Sequence, residues 1–348
     1  MRLSKSVIAA ATIAIAAPTP IMAAGAATAT ISVMTYNVHG LPWPVAEDRS
    51  ASLSAIATQL RTMRSEGRQP GIVALQEAFV PDAKAIGMEA GYRYVAFGAP
   101  ADDAASASTI GDRRFVSAGS MWHGEGVGKH VGSGLAIFSD YPILTVRRIS
   151  YPVCAGYDCL ANKGAMAALI AVPGVAHPVT VVDTHLNSNG ATGVSEPRAL
   201  YAYKRQIDSL RGFVDALSQS GSTMLVAGDF NVGKDAQRRA YFAQRMFGGS
   251  LALTPGGAQC LATRTCRVTQ KADVAVSTSR AKDWLMYRSA ARSSTRPLTL
   301  GAPFGHDAAN AMLSDHVGVM IEYELDRSDG GGSKWRSRLT DTPVRYRS

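Results

Sequence analysis

Val226-Ala-Gly-Asp229-Phe-Asn231-Val232 is an apolar run that ends on an acid and an amide two residues apart. Beside it stand Met34-Thr-Tyr-Asn37-Val-His39-Gly40, Val73-Ala-Leu-Gln-Glu77, Leu160-Ala-Asn-Lys163-Gly164, Val182-Asp-Thr-His185-Leu-Asn187 and Ser314-Asp315-His316-Val-Gly-Val319. Five of these six segments share one grammar: β-branched and aliphatic residues come first, then Asn, Glu, His or Asp where a buried strand surfaces. A strand carries its end residue rigidly to the rim of a sheet, which is the placement a reaction site needs.

Outward from these segments, runs rich in β-branched or aromatic residues and bounded by Gly, Pro, Asn or Asp read as strands. They are Ile31–Tyr36, Ile72–Leu75, Tyr92–Phe97, Ser133–Phe138, Leu144–Ile149, Met166–Val172, Val179–Asp183, Met224–Ala227, Ala272–Val276, Trp284–Tyr287 and Val317–Leu325. Leu53, Ile56, Leu60 and Met63 form one helical stripe, and Leu200, Tyr203, Ile207, Leu210, Val214 and Leu217 form a longer one. A weaker helical pattern covers 235–246. These helices are too few to wrap a doubly wound parallel sheet, and the strands are too many for one hairpin layer. Two sheets packed face to face with helices outside would bury both kinds of apolar face. Residues 99–131, rich in Ala, Ser, Asp and Gly, break the pattern and read as a long loop carrying Phe115, Met121 and Trp122. Trp122 there suits either a lid or membrane-touching loop, or packing of the loop onto the body.

Arg2 and Lys5, an uncharged run from Val7 to Ala17, and small residues after Pro18 and Pro20 read as a secretory signal peptide over 1–24. The alternative is a membrane anchor, for which two prolines and many alanines make a poor helix. Export implies a secreted or periplasmic protein. With Arg2 and Lys5 removed, the formal charge of +9 falls to about +7. Part of it sits in a basic tail over 327–348, after the Asp329-Gly-Gly-Gly-Ser333 run, which reads as solvated and disordered. The four cysteines fall into close pairs, Cys154 with Cys159 and Cys260 with Cys266. Of the three pairings open to four cysteines the local one is simplest, and neither pair has the spacing or nearby histidines of a zinc knuckle. No linker or repeat interrupts 29–326, and the site motifs span both halves, so one catalytic domain is expected there.

The six segments, in this order, resemble the endonuclease/exonuclease/phosphatase superfamily of metal-dependent phosphoesterases, from about residue 31 to residue 325. Within it, three segments resemble the neutral sphingomyelinase-like branch: Gly132-Ser-Gly-Leu-Ala-Ile-Phe-Ser-Asp-Tyr-Pro-Ile143, Asn162-Lys163-Gly164 and Thr184-His185-Leu186. The resemblance implies an α+β fold, a four-layer α/β/β/α sandwich of two mixed sheets. Composition alone gives only mixed α and β.

Phosphodiester hydrolysis needs an in-line water, neutralised phosphoryl charge and a stabilised leaving oxygen. Glu77 ends an apolar strand and would otherwise be a buried unpaired acid, so a hard divalent ion is its natural partner. The Asn37 amide is a second oxygen, and both match the family's metal ligands. His316 is the candidate general base, with Asp283 at the family's partner-aspartate position, although the usual Asp-Tyr is here Asp283-Trp284. Asp315, next to the base, would face elsewhere and is a further metal candidate. Asp229 would orient water and Asn231 donate to a phosphoryl oxygen, as the Gly-Asp-x-Asn motif implies. His185 matches the second histidine of the family and, protonated, would offset phosphate charge, assisted by Asn187. Lys163 offers a point charge to a phosphate oxygen on the strength of the resemblance. His39 lies near Asn37 with no assigned role. Magnesium is the expected ion, with manganese as the alternative and more than one ion allowed.

The leading expectation is therefore a monomeric, magnesium-dependent phosphodiesterase releasing phosphocholine from sphingomyelin or a similar phospholipid at a membrane surface. An extracellular nuclease or an inositol-phosphate phosphatase uses the same chemistry. A nuclease should line a groove with Arg and aromatic residues, whereas the arginines here are dispersed. A binding module that kept the fold has no use for a complete metal-plus-base set.

Overall fold

The computed structural model describes residues 28–326, apart from 106–107, 176, 219–220 and 292. The signal-peptide reading and the basic tail lie outside the described residues. The chain begins with β1 (Thr28–Gly40), α1 (Arg49–Ser65), β2 (Ile72–Ala78), α2 (Pro81–Glu89), β3 (Tyr94–Phe97), α3 (Ile110–Ser117) and β4 (Ala136–Ser139). It continues through β5 (Ile143–Ser150), β6 (Gly164–Ile170), β7 (Val179–His185), α4 (Glu196–Ser218), β8 (Met224–Asp229) and α5 (Ala236–Phe247). It closes with β9 (Thr254–Pro255), α6 (Gly256–Ala262), β10 (Arg267–Val268), α7 (Lys271–Arg280), β11 (Asp283–Arg288), β12 (Thr295–Phe304) and β13 (Gly318–Asp326).

The strands form a seven-stranded sheet, β10-β12-β13-β1-β2-β4-β3, and a six-stranded sheet, β5-β6-β7-β8-β11-β9. Both are mixed: β1 runs parallel to β2 and β7 parallel to β8, amid antiparallel neighbours. Side chains alternate faces along a strand, and the core follows that period. Val33, Ile72, Val181 and Leu225 point between the sheets, where Ile137, Leu285 and Ile321 join them. Their chain neighbours Met34 and Val73 turn outward onto α1, meeting Leu53, Ile56, Leu60 and Met63. Val182 and Val226 turn outward onto α4 and α5, meeting Tyr203, Ile207, Leu210 and Phe242. Helices, sheet, sheet, helices: these are the four layers the resemblance implies.

Helices α2 and α6 carry no stripe that the sequence reading picked out, and three further segments differ from their reading. Ala272–Val276 lies in α7, not in a strand. Its apolar residues alternate, but over five positions that pattern also fits a helix, and here Val274 and Ser277, three apart, form the buried face. β12 went unread because Pro297, Gly301 and Pro303 look like breakers. The strand accommodates them by shifting register against β13 at Pro297/Thr299 and again at Gly301/Phe304. The stretch 99–131 is not a bare loop, since it contains α3, whose Thr109 and Asp112 form a reciprocal capping box. Trp122 does not pack onto the body; it is 91 % exposed.

Register fixes what meets at the sheet ends. In the six-stranded sheet His185 stands opposite Asp229, and Asp229 opposite Asp283. In the seven-stranded sheet Asn37 stands opposite Gln76, the neighbour of Glu77. Two glycines allow the close approach. A Cβ on Gly228 would lie 2.3 Å from the Thr184 carbonyl oxygen, and one on Gly164 would lie 1.9 Å from that of Ile149.

Candidate active site

The two sheets meet at one end around a single oxygen, Oδ2 of Asp229. Asn37 Nδ2 donates to it at 3.2 Å, His185 Nε2 lies 3.5 Å away and His316 Nε2 3.6 Å away. These partners come from β1, from β7 and from the turn before β13, so both sheets contribute. Asn37 Nδ2 also donates to Glu77 Oε1 at 2.9 Å, and His185 Nε2 is 3.9 Å from that oxygen. Asn37, His185, Asp229 and His316 are all buried.

His316 and Asp283 form a dyad. The imidazole Nδ1 is 2.9 Å from Oδ1 and 3.0 Å from Oδ2 of Asp283, which leaves Nε2 facing Asp229. Burial pushes the imidazole down, but the charges of Asp283 and Asp229 outweigh it and raise its pKa to about 9. Burial raises Asp229 as well, against the opposing pull of His316. Behind them Lys163 Nζ contacts His185 Nε2 at 3.1 Å, donates to the Leu186 carbonyl at 3.2 Å and pairs with Asp158 at 2.8 Å. Burial first, then the Lys163 charge, push His185 well below the usual histidine range. The surroundings therefore favour neutral His185, not the protonated form expected from the sequence. With Nε2 facing the Lys163 ammonium, its Nδ1 is buried without a hydrogen-bond partner among the described residues.

Glu77 forms the other wall. Its Oε2 is buried without a hydrogen-bond partner among the described residues, since His39 Nδ1 stands 3.6 Å off. The same His39 nitrogen is 3.3 Å from Asp315 Oδ1, so His39 bridges the two acids, and its contacts with Asp315 and then Glu77 raise its pKa to about 9. Asp315 faces this edge and stays half exposed. Burial would raise its carboxyl, but His39 and the charge of His316 bring it well below the usual carboxylate range. Glu77, His39 and Asn231 all have φ near +50°, at 56°, 50° and 46°. Left-handed backbone costs a non-glycine residue about 1–2 kcal/mol, and such strain clusters where a side chain must be aimed.

The remaining sequence candidates sit close by in supporting positions. The Asn231 backbone N–H donates to Asp229 Oδ1 at 2.9 Å, and its amide donates to the Leu186 carbonyl at 2.9 Å. The Asn187 Oδ1 accepts from the Ala155 N–H at 2.9 Å, and its amide nitrogen donates to the Ser188 carbonyl, so it props the 155–158 segment and does not join the cluster. Both cysteine pairs are bridged as expected, Cys154 to Cys159 and Cys260 to Cys266. The first bridge encloses Asp158, which sequence reading passed over although it lies five residues before Lys163. Sequence reading also missed the link beneath the site, where Gln76 Nε2 donates to Asp183 Oδ1 at 2.6 Å and ties β2 to β7. Burial holds Asp183 well above the usual carboxylate range.

Ligand-capable atoms of Asp229, Asp283 and His316 lie within 4.8 Å of one another, a buried cluster able to hold a divalent ion. Asp283, however, spends both oxygens on His316. Oε2 of Glu77, unpartnered among the described residues, the oxygens of Asp315 and the Asn37 Oδ1, which accepts from the His39 N–H at 3.0 Å, are the kind of oxygen donors that a hard cation prefers. The residues present thus fit a divalent metal. Among the described residues no helix is long and apolar enough to cross a membrane.

Comparisons with known proteins agree with this fold. Solved structures share the fold, three of them as follows. Sphingomyelinase C from Streptomyces griseocarneus superposes with a TM-score of 0.56 at 17 % identity, covering 85 % of this chain and 99 % of that one. Beta toxin from Staphylococcus aureus gives 0.56 at 16 % identity, covering 84 % and 99 %. TDP2 from D. rerio, complexed with a single-strand DNA product, gives 0.52 at 16 % identity, covering 84 % and 98 %. No curated protein sequence matches the chain. The model of the Endonuclease/Exonuclease/phosphatase family matches residues 34–317, the span that carries the polar residues of all six segments, and the chain belongs to that family.

Proposed function

We propose that this chain is a metal-dependent phosphodiesterase that hydrolyses a phospholipid of the sphingomyelin type, releasing phosphocholine. The observation that carries the hydrolytic reading is the convergence on Asp229 of side chains from both sheets, with a carboxylate-held imidazole on one side and a buried lysine on the other. His316 takes the proton from the attacking water through Nε2, and Asp283 holds the ring and stabilises the imidazolium. Asp229 orients that water, fixed in turn by the N–H of Asn231. Lys163 offers its charge to a phosphoryl oxygen, kept in place by Asp158 and by neutral His185. Glu77, the Asn37 amide oxygen and Asp315 are the groups that would hold the ion, magnesium in this reading. When bound there, it supplies positive charge to the phosphoryl and leaving oxygens.

The lipid substrate rests on the three segments similar to sphingomyelinases and on how four of the arginines are used. Arg49 and Arg238 donate to backbone carbonyls, and Arg198 and Arg205 pair with buried acids. Those four are spent on the protein's own groups, whereas a nucleic-acid groove presents its arginines to phosphates. The test is purified protein with magnesium, assayed in parallel on sphingomyelin liposomes, plasmid DNA and inositol phosphates. Phosphocholine release that a chelator stops is the expected result. Nicked plasmid without phosphocholine release would select the nuclease reading instead.

A further inference from the structure

We propose that the 109–131 segment docks the protein on a phospholipid bilayer, with Met121 and Trp122 entering the interface and Arg113 and Arg114 facing lipid phosphates. The inference deepens the lipid reading of the site and rests on it. Met121 is 71 % exposed and Trp122 91 %, and Ile110, Val116, Val127 and the neighbouring Tyr157 are exposed too. Large apolar side chains grouped on a surface mark a contact, and tryptophan favours the boundary between water and lipid.

The exposure is built, not incidental. Met121 and Trp122 ride on a short 3-10 turn whose base is clamped by buried Glu125. Its carboxylate accepts from the Ser120 N–H at 2.6 Å and the Gly156 N–H at 2.9 Å, and pairs with Arg198 at 2.7 Å. Helix α3 is anchored in the same way: buried Asp112 pairs with Arg205 at 2.8 Å, and Phe115 stacks on Tyr201. Holding the turn so firmly while leaving an indole in water makes physical sense when something covers the indole.

Charge identifies the occupant. The two acids of the segment, Asp112 and Glu125, are both buried in these ion pairs, while Arg113 and Arg114 are exposed. The outward face is therefore apolar and cationic, which complements an interface of acyl chains and phosphates. The segment also ends at the site: His130 donates its N–H to the Leu160 carbonyl, and the Asn162 N–H donates to the Val131 carbonyl, one residue before Lys163. A docked segment would hold the lysine beside the lipid headgroups.

The experiment is co-sedimentation of the purified protein with vesicles of sphingomyelin and phosphatidylcholine, with and without phosphatidylglycerol. Wild type should co-sediment, more strongly with phosphatidylglycerol. Met121→Ala/Trp122→Ala should weaken partition by about tenfold or more, yet hydrolyse soluble bis(p-nitrophenyl) phosphate at the wild-type rate. Arg113→Glu/Arg114→Glu should lose the gain given by phosphatidylglycerol. Undiminished partition by the Met121/Trp122 variant overturns the proposal. So does a wild-type protein that ignores vesicles, the behaviour of a surface that takes a protein partner. Wild type that binds vesicles through these residues but hydrolyses no lipid in them upholds docking and removes the lipid substrate.

Discussion

Asp283→Asn removes one charge and keeps the shape of the side chain, so it isolates what the carboxylate does for His316. Asp283 sits 2.9–3.0 Å from Nδ1, and its charge together with that of Asp229 raises the imidazole from 6.5 to about 9 against burial. That rise corresponds to roughly 3 kcal/mol in favour of the imidazolium. Because the folded-state value lies above the unfolded one, this stabilisation is fully present below pH 6.5 and is lost as pH climbs through about 9. Denaturant titrations of the chelator-treated protein should show wild type losing stability across that window and Asp283→Asn losing much less. Catalysis runs the other way, since the base must be neutral to accept a proton. Asp283→Asn should move the acid limb of the pH–rate profile down by roughly one to three units. The plateau should fall of order 10²-fold, because the ring is no longer held, and His316→Ala should lose about 10²–10⁴-fold. An acid limb that stays where it is in Asp283→Asn refutes the dyad as the origin of the base.

Glu77→Gln should abolish hydrolysis and remove the rise in melting temperature that magnesium gives wild type, since a ligand stabilises only what it binds; an unchanged magnesium-induced rise would move the ion elsewhere, with the Asp229–Asp283–His316 cluster the next candidate. Opening the Cys154–Cys159 bridge with a double serine substitution should cost stability at or below the roughly 3 kcal/mol expected of a fifteen-residue loop. It should also cut turnover more than opening Cys260–Cys266, because Asp158 lies inside the first bridge and holds Lys163; equal turnover in the two variants would count against that link. Asp183→Asn should raise stability at neutral pH. Burial holds the Asp183 carboxyl far above its unfolded value, so its contribution is complete below the unfolded value near 4 and declines as pH rises through the folded one. Denaturation midpoints at pH 4 and pH 7 give the comparison, and a variant as pH-sensitive as wild type speaks against burial raising the Asp183 carboxyl.

How much was legible depended on the range over which each feature is encoded. The strand that ends on Asp229 and the one that carries Glu77 next to its end are local facts: an apolar run followed by a polar residue fits a buried strand meeting the rim. The stripes of α1 and α4 are local too, as is the pairing of close cysteines. β12 was hidden because Pro297 and Pro303 are tolerated only through register shifts against β13, and a register belongs to two strands. Ala272–Val276 misled because five residues are too few to tell a period of two from one of 3.6.

The sequence by itself determined the kinds of groups available and the strand ends that carry them. It did not determine the distances. His39 gained a role only when folding set its Nδ1 between Glu77 and Asp315, residues separated along the chain but brought together by β1 and the turn before β13. His185 carried the letters of a phosphate-binding cation, yet burial and the ammonium of Lys163 hold it neutral. The protonation of a group depends on how much water and which charges surround it. Those surroundings come from β6, β7 and β8 packed side by side, so only the tertiary structure could decide them.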